Sequence, residues 1–404
     1  MVTANISAYR VIQSPGSGHF RADSVSRDTK TDMHRRSFLK TATAGIGGSG
    51  IAFAQATGMA NPLGAGIKLG FDTYSVRAFK WKDIQLLDYA ASLKVDTVQI
   101  SDSGDYSSLE PAHLATVKAH ADKLGLEIDS GIGCICPVSK SWKSNGETAE
   151  QRLVNGLKIA KAVGAKSMRC FMGSMDDRRS DKPIEYFMEA TIKVFRNVRS
   201  QAQDSGVKIA LENHAGDMQA SETRTVIVES GKDFVASCLD TGNPMWVMED
   251  PQVTLEILGP YAVSTHVRDS VVFEHPRGAA AQWVTLGEGI IDWTAFFTLY
   301  QKTCPKSLLQ LEIITGRPPQ ILPYYEKDWW KWFPKMPASE FARFAALAKK
   351  GHPFMGSMVI EDSPGRKPAE YMEALKEQQR NDLGRSIEFA QKQLGLGLKW
   401  KSAA

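Results

Sequence analysis

Apolar runs of five to seven residues alternate, eight times, with longer stretches whose apolar residues recur at helical spacing. The strand-like runs are Ile67–Asp72, Thr97–Ser101, Glu127–Gly131, Ser167–Phe171, Lys208–Asn213, Phe234–Asp240, Ala262–Val267 and Leu308–Ile313. Helical spacing predicts Trp81–Leu93, Pro111–Leu124, Thr148–Val163, Pro183–Ser205, Ser221–Ser230, Pro251–Leu258 and Asp292–Lys302, with stops at Gly125, Gly164 and Gly206. Pro111 stands in the first turn, where its missing N–H costs nothing. Alternation of this length predicts parallel strands joined by crossover helices. Eight units, with no glycine-rich dinucleotide fingerprint after the first strand, favour an α/β chain closed as a (β/α)8 TIM barrel over an open sheet.

After the eighth strand the pattern changes. Residues 316–367 hold Pro318-Pro319, Pro323-Tyr324-Tyr325, Asp328-Trp329-Trp330-Lys331-Trp332-Phe333-Pro334, a helical Ala338–Lys350 and His352-Pro353-Phe354. A last helix is expected over Pro368–Leu394. Residues 67–404 therefore read as one domain, with 316–367 as an aromatic-rich insertion between strand eight and its helix. In a barrel such an insertion lies over the C-terminal mouth, and a loop this long is functional or carries its own structure.

Four neighbouring strands end in donors for a hard cation: Leu211-Glu212-Asn213-His214, Leu239-Asp240-Thr241-Gly242-Asn243, Thr265-His266-Val267-Arg268-Asp269 and Leu311-Glu312-Ile313. From Glu212 to Asp240, His266 and Glu312 the steps are 28, 26 and 46 residues, each about a strand-helix unit, with extra length in the last. This is the arrangement of four barrel strands each placing one ligand at the active-site face. Three carboxylates and an imidazole suit one divalent ion, Mn2+ first, with Mg2+, Co2+ or Zn2+ as alternatives, better than a thiolate-rich site.

Met33-His34-Arg35-Arg36-Ser37-Phe38-Leu39-Lys40 matches a twin-arginine export signal. A Gly/Ala-rich run from Thr41 to Phe53 follows, then small-residue cleavage sites at Ala52-Phe53-Ala54 and Ala54-Gln55-Ala56. The run is too short for a stable membrane span, so residues 33–56 read as a removable signal and the mature chain as periplasmic or secreted. Residues 1–32 are polar and aperiodic, and read as a disordered extension or a mis-set start. Export of folded protein suits an enzyme that takes its metal in the cytoplasm, away from competing Cu2+ and Zn2+. Removing residues 1–56 takes seven of the 49 Lys/Arg and three of the 45 Asp/Glu, which leaves 42 of each and a formal charge of zero. That balance argues against a nucleic-acid partner. The five cysteines (134, 136, 170, 238, 304) are scattered and read as buried small hydrophobes, with room for one disulfide.

At this point the chain resembles the xylose isomerase-like TIM barrels of the sugar phosphate isomerase/epimerase superfamily. The resemblance covers roughly residues 67–315 and rests on the four segments above together with Leu286-Gly287-Glu288-Gly289-Ile290-Ile291-Asp292-Trp293. It implies that Glu212, Asp240, His266 and Glu312 hold the metal. It also implies that Glu212 and Glu312 exchange the substrate proton next to a carbonyl, through an enediolate. A small carbohydrate is the implied substrate; the oligomeric state is left open. Where free-ketohexose epimerases carry a substrate-binding His, a Glu and an Arg, this chain has Asn243, Met218 and Val272, which counts against a simple ketohexose 3-epimerase. The His-rich three-zinc cluster of DNA-repair relatives finds too few histidines here.

Period-two geometry turns Arg268 and His214 the same way as His266 and Glu212, inward, where they would contact substrate. Asn243 takes the place of the substrate-binding His. Asn213 is expected to face the helices, Asp269 to be structural, and Gly287-Glu288-Gly289 to form a turn or a substrate loop. Trp329, Trp330 and Trp332 would stack on a sugar face or anchor the insertion. The leading expectation is an exported, divalent-metal-dependent sugar isomerase or epimerase. A keto-sugar or inosose lyase or dehydratase on the same metal site is the alternative, and a non-catalytic sugar-binding barrel is the alternative of another class.

Overall fold

The computed structural model describes residues 63–403, apart from 357–359 and 363–364; the expected extension and export signal lie outside the described residues. Among the described residues eleven strands are formed: β1 (Leu69–Asp72), β2 (Thr97–Ile100), β3 (Glu127–Cys134), β4 (Ser167–Phe171), β5 (Lys208–Glu212), β6 (Val235–Asp240), β7 (Ala262–Val267), β8 (Asp269–His275), β9 (Gly278–Val284), β10 (Leu308–Leu311) and β11 (Gln320–Leu322). Eight of them close into a parallel barrel in the order β1-β2-β3-β4-β5-β6-β7-β10 and back to β1. Strands covered on both faces must be apolar almost throughout, which is why the runs were legible: β1, β2, β6 and β10 are buried at every residue.

The crossover helices sit where helical spacing placed them, at Asp83–Ser92, Pro111–Leu124, Ala149–Ala162, Ala220–Ser230, Pro251–Leu258 and Trp293–Thr303. Gly125 ends the second in a left-handed conformation (φ 64°) that favours glycine. The single helix expected over 183–205 is instead two, Ile184–Asn197 and Arg199–Ser205. Val198 causes the break: it leaves the helical region (φ −106°, ψ 11°), turns its N–H to the Phe195 carbonyl three residues back, and buries its side chain.

The largest departure lies between β7 and β10. Residues 269–284, without an element in the sequence reading, form an antiparallel hairpin from β8 and β9, paired from Asp269 with Val284 to His275 with Gly278. β11 adds to β9. This hairpin accounts for the extra length between His266 and Glu312. Helix Ala338–Lys350 packs on the small sheet, and Gly351 approaches the Val272 carbonyl so closely that a Cβ would lie 1.7 Å from it. A second apolar core forms there from Met245, Met248, Val272, Leu322, Trp329, Phe333 and Phe344, apart from the main core between barrel and helices.

The barrel interior is polar along one path. Asp129 accepts from Gln99 Nε2 (2.6 Å), Ser264 Oγ (2.5 Å) and Ser167 Oγ (2.8 Å). All five cysteines are buried and free. Among the described residues no helix is long and apolar enough to cross a membrane.

Candidate metal centre and substrate cavity

The four strand ends converge. Glu212, Asp240, His266 and Glu312 each offer one ligand atom, all within 4.8 Å of one another. His266 Nδ1 lies 3.4 Å from Glu212 Oε1, 3.5 Å from Glu312 Oε2 and 4.0 Å from Asp240 Oδ2. Register explains this: Asp240 pairs with His266 across β6 and β7, and Gln310, two residues before Glu312, pairs with His266 on the other side.

The imidazole is oriented from behind. His266 Nε2 meets Gln99 Oε1 at 2.5 Å, and Gln99 is itself fixed by Asp129. A carbonyl oxygen only accepts, so Nε2 carries the hydrogen and Nδ1 presents its lone pair to the carboxylates. Nδ1 is buried with no hydrogen-bond partner. An orphaned ring nitrogen facing three carboxylate oxygens is what a metal ligand looks like without its ion. Asp72, at the end of β1, lies 3.7 Å from His266 Nε2. Burial pushes its carboxyl up to about 7, against the pull of His266.

Two arginines frame the cluster. Arg169, on β4, reaches Glu212 Oε2 through Nε at 2.5 Å. Arg268 pairs with both Asp240 and Glu312 and lies over the Trp283 ring at 4.3 Å. Burial alone would raise the Glu212 and Glu312 carboxyls; the guanidinium beside each, Arg169 and Arg268 respectively, and His266 outweigh it and hold both below the usual carboxylate range. Four carboxylates (Asp72, Glu212, Asp240, Glu312) face two guanidiniums, so with all ionised the cluster carries two unbalanced negative charges. A buried imbalance of that sign suits a divalent cation. The donor set is oxygen and nitrogen without thiolate. The residues fit the ion that the sequence implies.

A cavity of about 560 Å³ opens beside the cluster, a usual size for a small-molecule site. Glu312 lines it, together with Arg169, Arg268 and Asn243; Glu212 and Asp240 do not. Asn243, offered as a substrate contact, donates Nδ2 to Glu212 Oε1 at 3.1 Å. His214 also lines the cavity. It stacks on Phe171 (3.9 Å between centroids) and meets the Gly173 carbonyl through Nδ1 at 2.7 Å. Burial lowers its pKa, which keeps the ring neutral. Asp217 fixes that loop by accepting from the His214 and Gly173 backbone N–H groups.

Two expectations need correction. Trp329 and Trp330 do not line this cavity. Trp329 is 2% exposed in the second core, with its Nε1 toward Met248 Sδ, and Trp330 donates Nε1 to the Tyr324 carbonyl and packs on Phe341. Both anchor the segment after β10, because their indoles are consumed by the apolar core there. The cavity's tryptophans are Trp246 and Trp283, stacked at 4.3 Å and 4°. Asn213 uses its side chain on the neighbouring backbone. Its side chain spans β5 and β6, accepting the Asp240 N–H (2.9 Å) and donating to the Asp240 carbonyl (3.1 Å).

Asp269 is structural, as expected. It accepts from Gly287 N–H (3.0 Å) and Trp293 Nε1 (2.8 Å). A Cβ on Gly289 would lie 2.0 Å from Asp269 Oδ1, so the Gly287-Glu288-Gly289 turn is shaped around this carboxylate. Sequence reasoning missed Gln99, Asp129, Asp72, Arg169, Trp246 and Trp283. Asp72 carried the one available signal, as the acid closing the first strand-like run.

Fold and site together define a (β/α)8 barrel with a buried oxygen-and-nitrogen donor set at the C-terminal ends of its strands. The chain belongs to the xylose isomerase-like TIM barrel family, which matches residues 87–331. It is similar to a 3-oxo-isoapionate decarboxylase of Pectobacterium atrosepticum, with 22% identity over 244 residues, 56% of this chain and 78% of that one. Among solved structures, a D-psicose 3-epimerase crystallised in the presence of D-fructose superposes with a TM-score of 0.51 at 17% identity, over 81% of this chain and all of that one. An L-ribulose 3-epimerase gives a TM-score of 0.49 at 17% identity, over 81% and 96%.

Proposed function

We infer that this protein is a divalent-metal-dependent isomerase or epimerase that moves a proton next to the carbonyl of a sugar derivative. The observation that carries the reading is the pairing of Glu212 and Glu312 on one orphaned imidazole nitrogen, at 3.4 and 3.5 Å, beside a cavity that Glu312 lines. Glu212, Asp240, His266 and Glu312 would hold the ion, with Mn2+ the first candidate. When bound, the ion supplies positive charge that acidifies the carbon next to a sugar carbonyl.

Glu312 is the carboxylate placed to take the proton, since it reaches the cavity and is held ionised by Arg268. Arg268, whose Nε–H has no acceptor among the described residues, offers a hydrogen bond to the oxygen of the resulting enediolate. Glu212 is the second carboxylate of the exchange, restrained by Arg169 and Asn243. His214, neutral and with its hydrogen on Nδ1 toward the Gly173 carbonyl, leaves Nε2 free of any partner among the described residues to accept a hydrogen bond from a substrate hydroxyl. Trp246 and Trp283 offer an apolar wall to the C–H face of a sugar.

A lyase acting on an oxidised sugar is the second reading. The similarity to a decarboxylase favours it, and the same enediolate serves when carbon dioxide leaves in place of a proton. The Arg35-Arg36 motif supports export of the folded chain through the twin-arginine route to the periplasm or beyond.

The test is solvent deuterium incorporation. Protein loaded with Mn2+ is incubated in D2O with ketoses, keto-glycosides, inososes and 3-oxo sugar acids, and followed by NMR and mass spectrometry. Stereospecific uptake at one carbon, lost in Glu312→Gln with melting temperature unchanged, is the expected result. Full exchange retained in Glu312→Gln removes Glu312 from the mechanism, and loss of carbon dioxide without exchange selects the lyase.

A further inference from the structure

Three arginines line the cavity beside the metal cluster: Arg169, Arg268 and Arg317. Two are spent on protein carboxylates, Arg169 on Glu212 and Arg268 on Asp240 and Glu312. Arg317 has no such use. It makes no ion pair and no side-chain hydrogen bond among the described residues, and its Nε is buried without an acceptor. A half-buried guanidinium with an orphaned N–H is costly unless something outside the chain completes it.

The backbone that presents Arg317 is built. Gly316, at φ 79°, turns the chain four residues after Glu312, in a conformation that favours glycine; a Cβ there would also lie 2.3 Å from the Ile360 carbonyl. Gln282 Nε2, from β9, donates to the Arg317 carbonyl at 2.9 Å. Pro318 and Pro319 then fix the exit of the chain. The backbone that carries this guanidinium to the cavity wall is thus held by a strand, a glycine turn and two prolines. The sequence reading assigned this residue nothing.

We propose that Arg317 recognises a carboxylate on the substrate, so that the enzyme acts on keto-sugar acids in preference to neutral ketoses. The proposal rests on the reading of the site as sugar-processing and adds the substrate class. A guanidinium presents paired N–H donors that match a carboxylate edge to edge. One unmatched positive charge balances a monoanion, whereas a phosphate dianion would leave charge uncompensated. The other cations of the cavity are already neutralised, so they do not compete for this group.

The experiment compares D-fructuronate with D-fructose, which differ only in a carboxylate for a hydroxymethyl group, and adds D-fructose 6-phosphate. Mn2+-loaded wild type, Arg317→Gln and Arg317→Lys are assayed for deuterium exchange, with metal content and melting temperature checked in each. Wild type is expected to favour fructuronate over fructose in kcat/KM by about ten- to a hundredfold, the scale of a charged hydrogen bond. Arg317→Gln is expected to lose that preference and Arg317→Lys to keep part of it. An acid-to-neutral ratio near one in wild type overturns the proposal. So does a ratio that survives in Arg317→Gln, or an Arg317-dependent preference for the phosphate alone. If neither sugar exchanges, the proton-transfer reading is judged separately on the wider panel of ketoses, keto-glycosides and inososes. Arg317 is then judged by tryptophan-fluorescence titration with D-gluconate against D-sorbitol. Gluconate binding at least tenfold tighter in wild type than in Arg317→Gln sustains the carboxylate site, and equal binding removes it.

Discussion

Gln99 Oε1 accepts the Nε2 hydrogen of His266 at 2.5 Å, from a strand 167 residues earlier, and that one bond decides which imidazole nitrogen faces the carboxylates. Asp129 in turn holds the Gln99 amide by its nitrogen, which leaves the amide oxygen for His266. The chain from Asp129 through Gln99 to His266 keeps the hydrogen on Nε2, so Nδ1 is the nitrogen left for an ion.

Gln99→Met should therefore keep the barrel and weaken the metal site. The side chain is similar in length but cannot accept the hydrogen bond. An affinity loss of about 10- to 100-fold is expected, the usual effect of losing such a support. Competition with a fluorescent chelator measures it. Wild-type affinity in the variant would mean that the imidazole is oriented by packing alone.

Removing the ion should lower stability, because the buried carboxylates then lose the positive charge that offsets their excess over Arg169 and Arg268. At a free metal concentration a hundred times Kd the bound ion contributes about 2.7 kcal/mol. Melting with and without EDTA reads this directly. Asp240→Asn should abolish the difference and melt above the metal-free wild type, since burial already pushes the Asp240 carboxyl up to about 7 against the pull of Arg268. A chelated wild type as stable as the loaded protein would contradict the charge argument.

The tryptophans should divide by role. Trp329→Ala removes an indole buried to 2% exposure in the second core and should cost about 3–5 kcal/mol in urea unfolding. Trp283→Phe, at the cavity wall, keeps an apolar ring but loses part of the stack with Trp246, and should act mainly on substrate KM. A large KM change from Trp329→Phe with normal stability would return Trp329 to the substrate site.

Glu249 gives stability a pH dependence unrelated to metal. It is fully buried, accepts from Thr254 Oγ1 (2.6 Å) and the Ala220 N–H, and burial pushes its pKa from 4.5 up to about 8. The folded state binds the proton more tightly than the unfolded one. The contribution is therefore complete below about 4.5 and is lost as pH rises through about 8. Glu249→Gln should flatten the stability profile between those values. Denaturant titrations at pH 5, 6.5 and 8 (chosen as about the two limits and the middle of the window) give the slope, and an unchanged slope would assign the loss to another group.

Much of the barrel was legible because its signals are local. Parallel strands enclosed on both faces read as short apolar runs, and the helices between them carry their own stops. The metal donors were legible for the same reason: each closes a strand, and barrel closure leaves strand ends on one rim. The hairpin β8–β9 escaped because its pattern is irregular. Val271-Val272-Phe273 and Ala279-Ala280-Ala281 do not alternate, since the sheet is covered by the helix Ala338–Lys350 and extended at its edge by β11. That cover comes from residues 36 or more positions further along, beyond any local window.

By itself, then, the sequence determined the barrel, the order of its strands and the four donors at their ends, because periodicity and spacing are properties of neighbouring residues. Only the tertiary structure decided what surrounds those donors. Gln99 and Asp129 sit inside strand runs where a polar residue gives no sign of its partner, and Arg169 looks no different from a surface arginine until β4 and β5 pair. The tryptophans show the limit most clearly. Trp329 and Trp330 looked like sugar platforms because they are adjacent and aromatic, yet burial energy drew them into a second core. Trp246 and Trp283, 37 residues apart and unremarked, became the cavity wall because the hairpin folds back over the end of β6. Where a side chain ends up is set by which surface is left uncovered after the rest has packed, and no stretch of sequence holds that information alone.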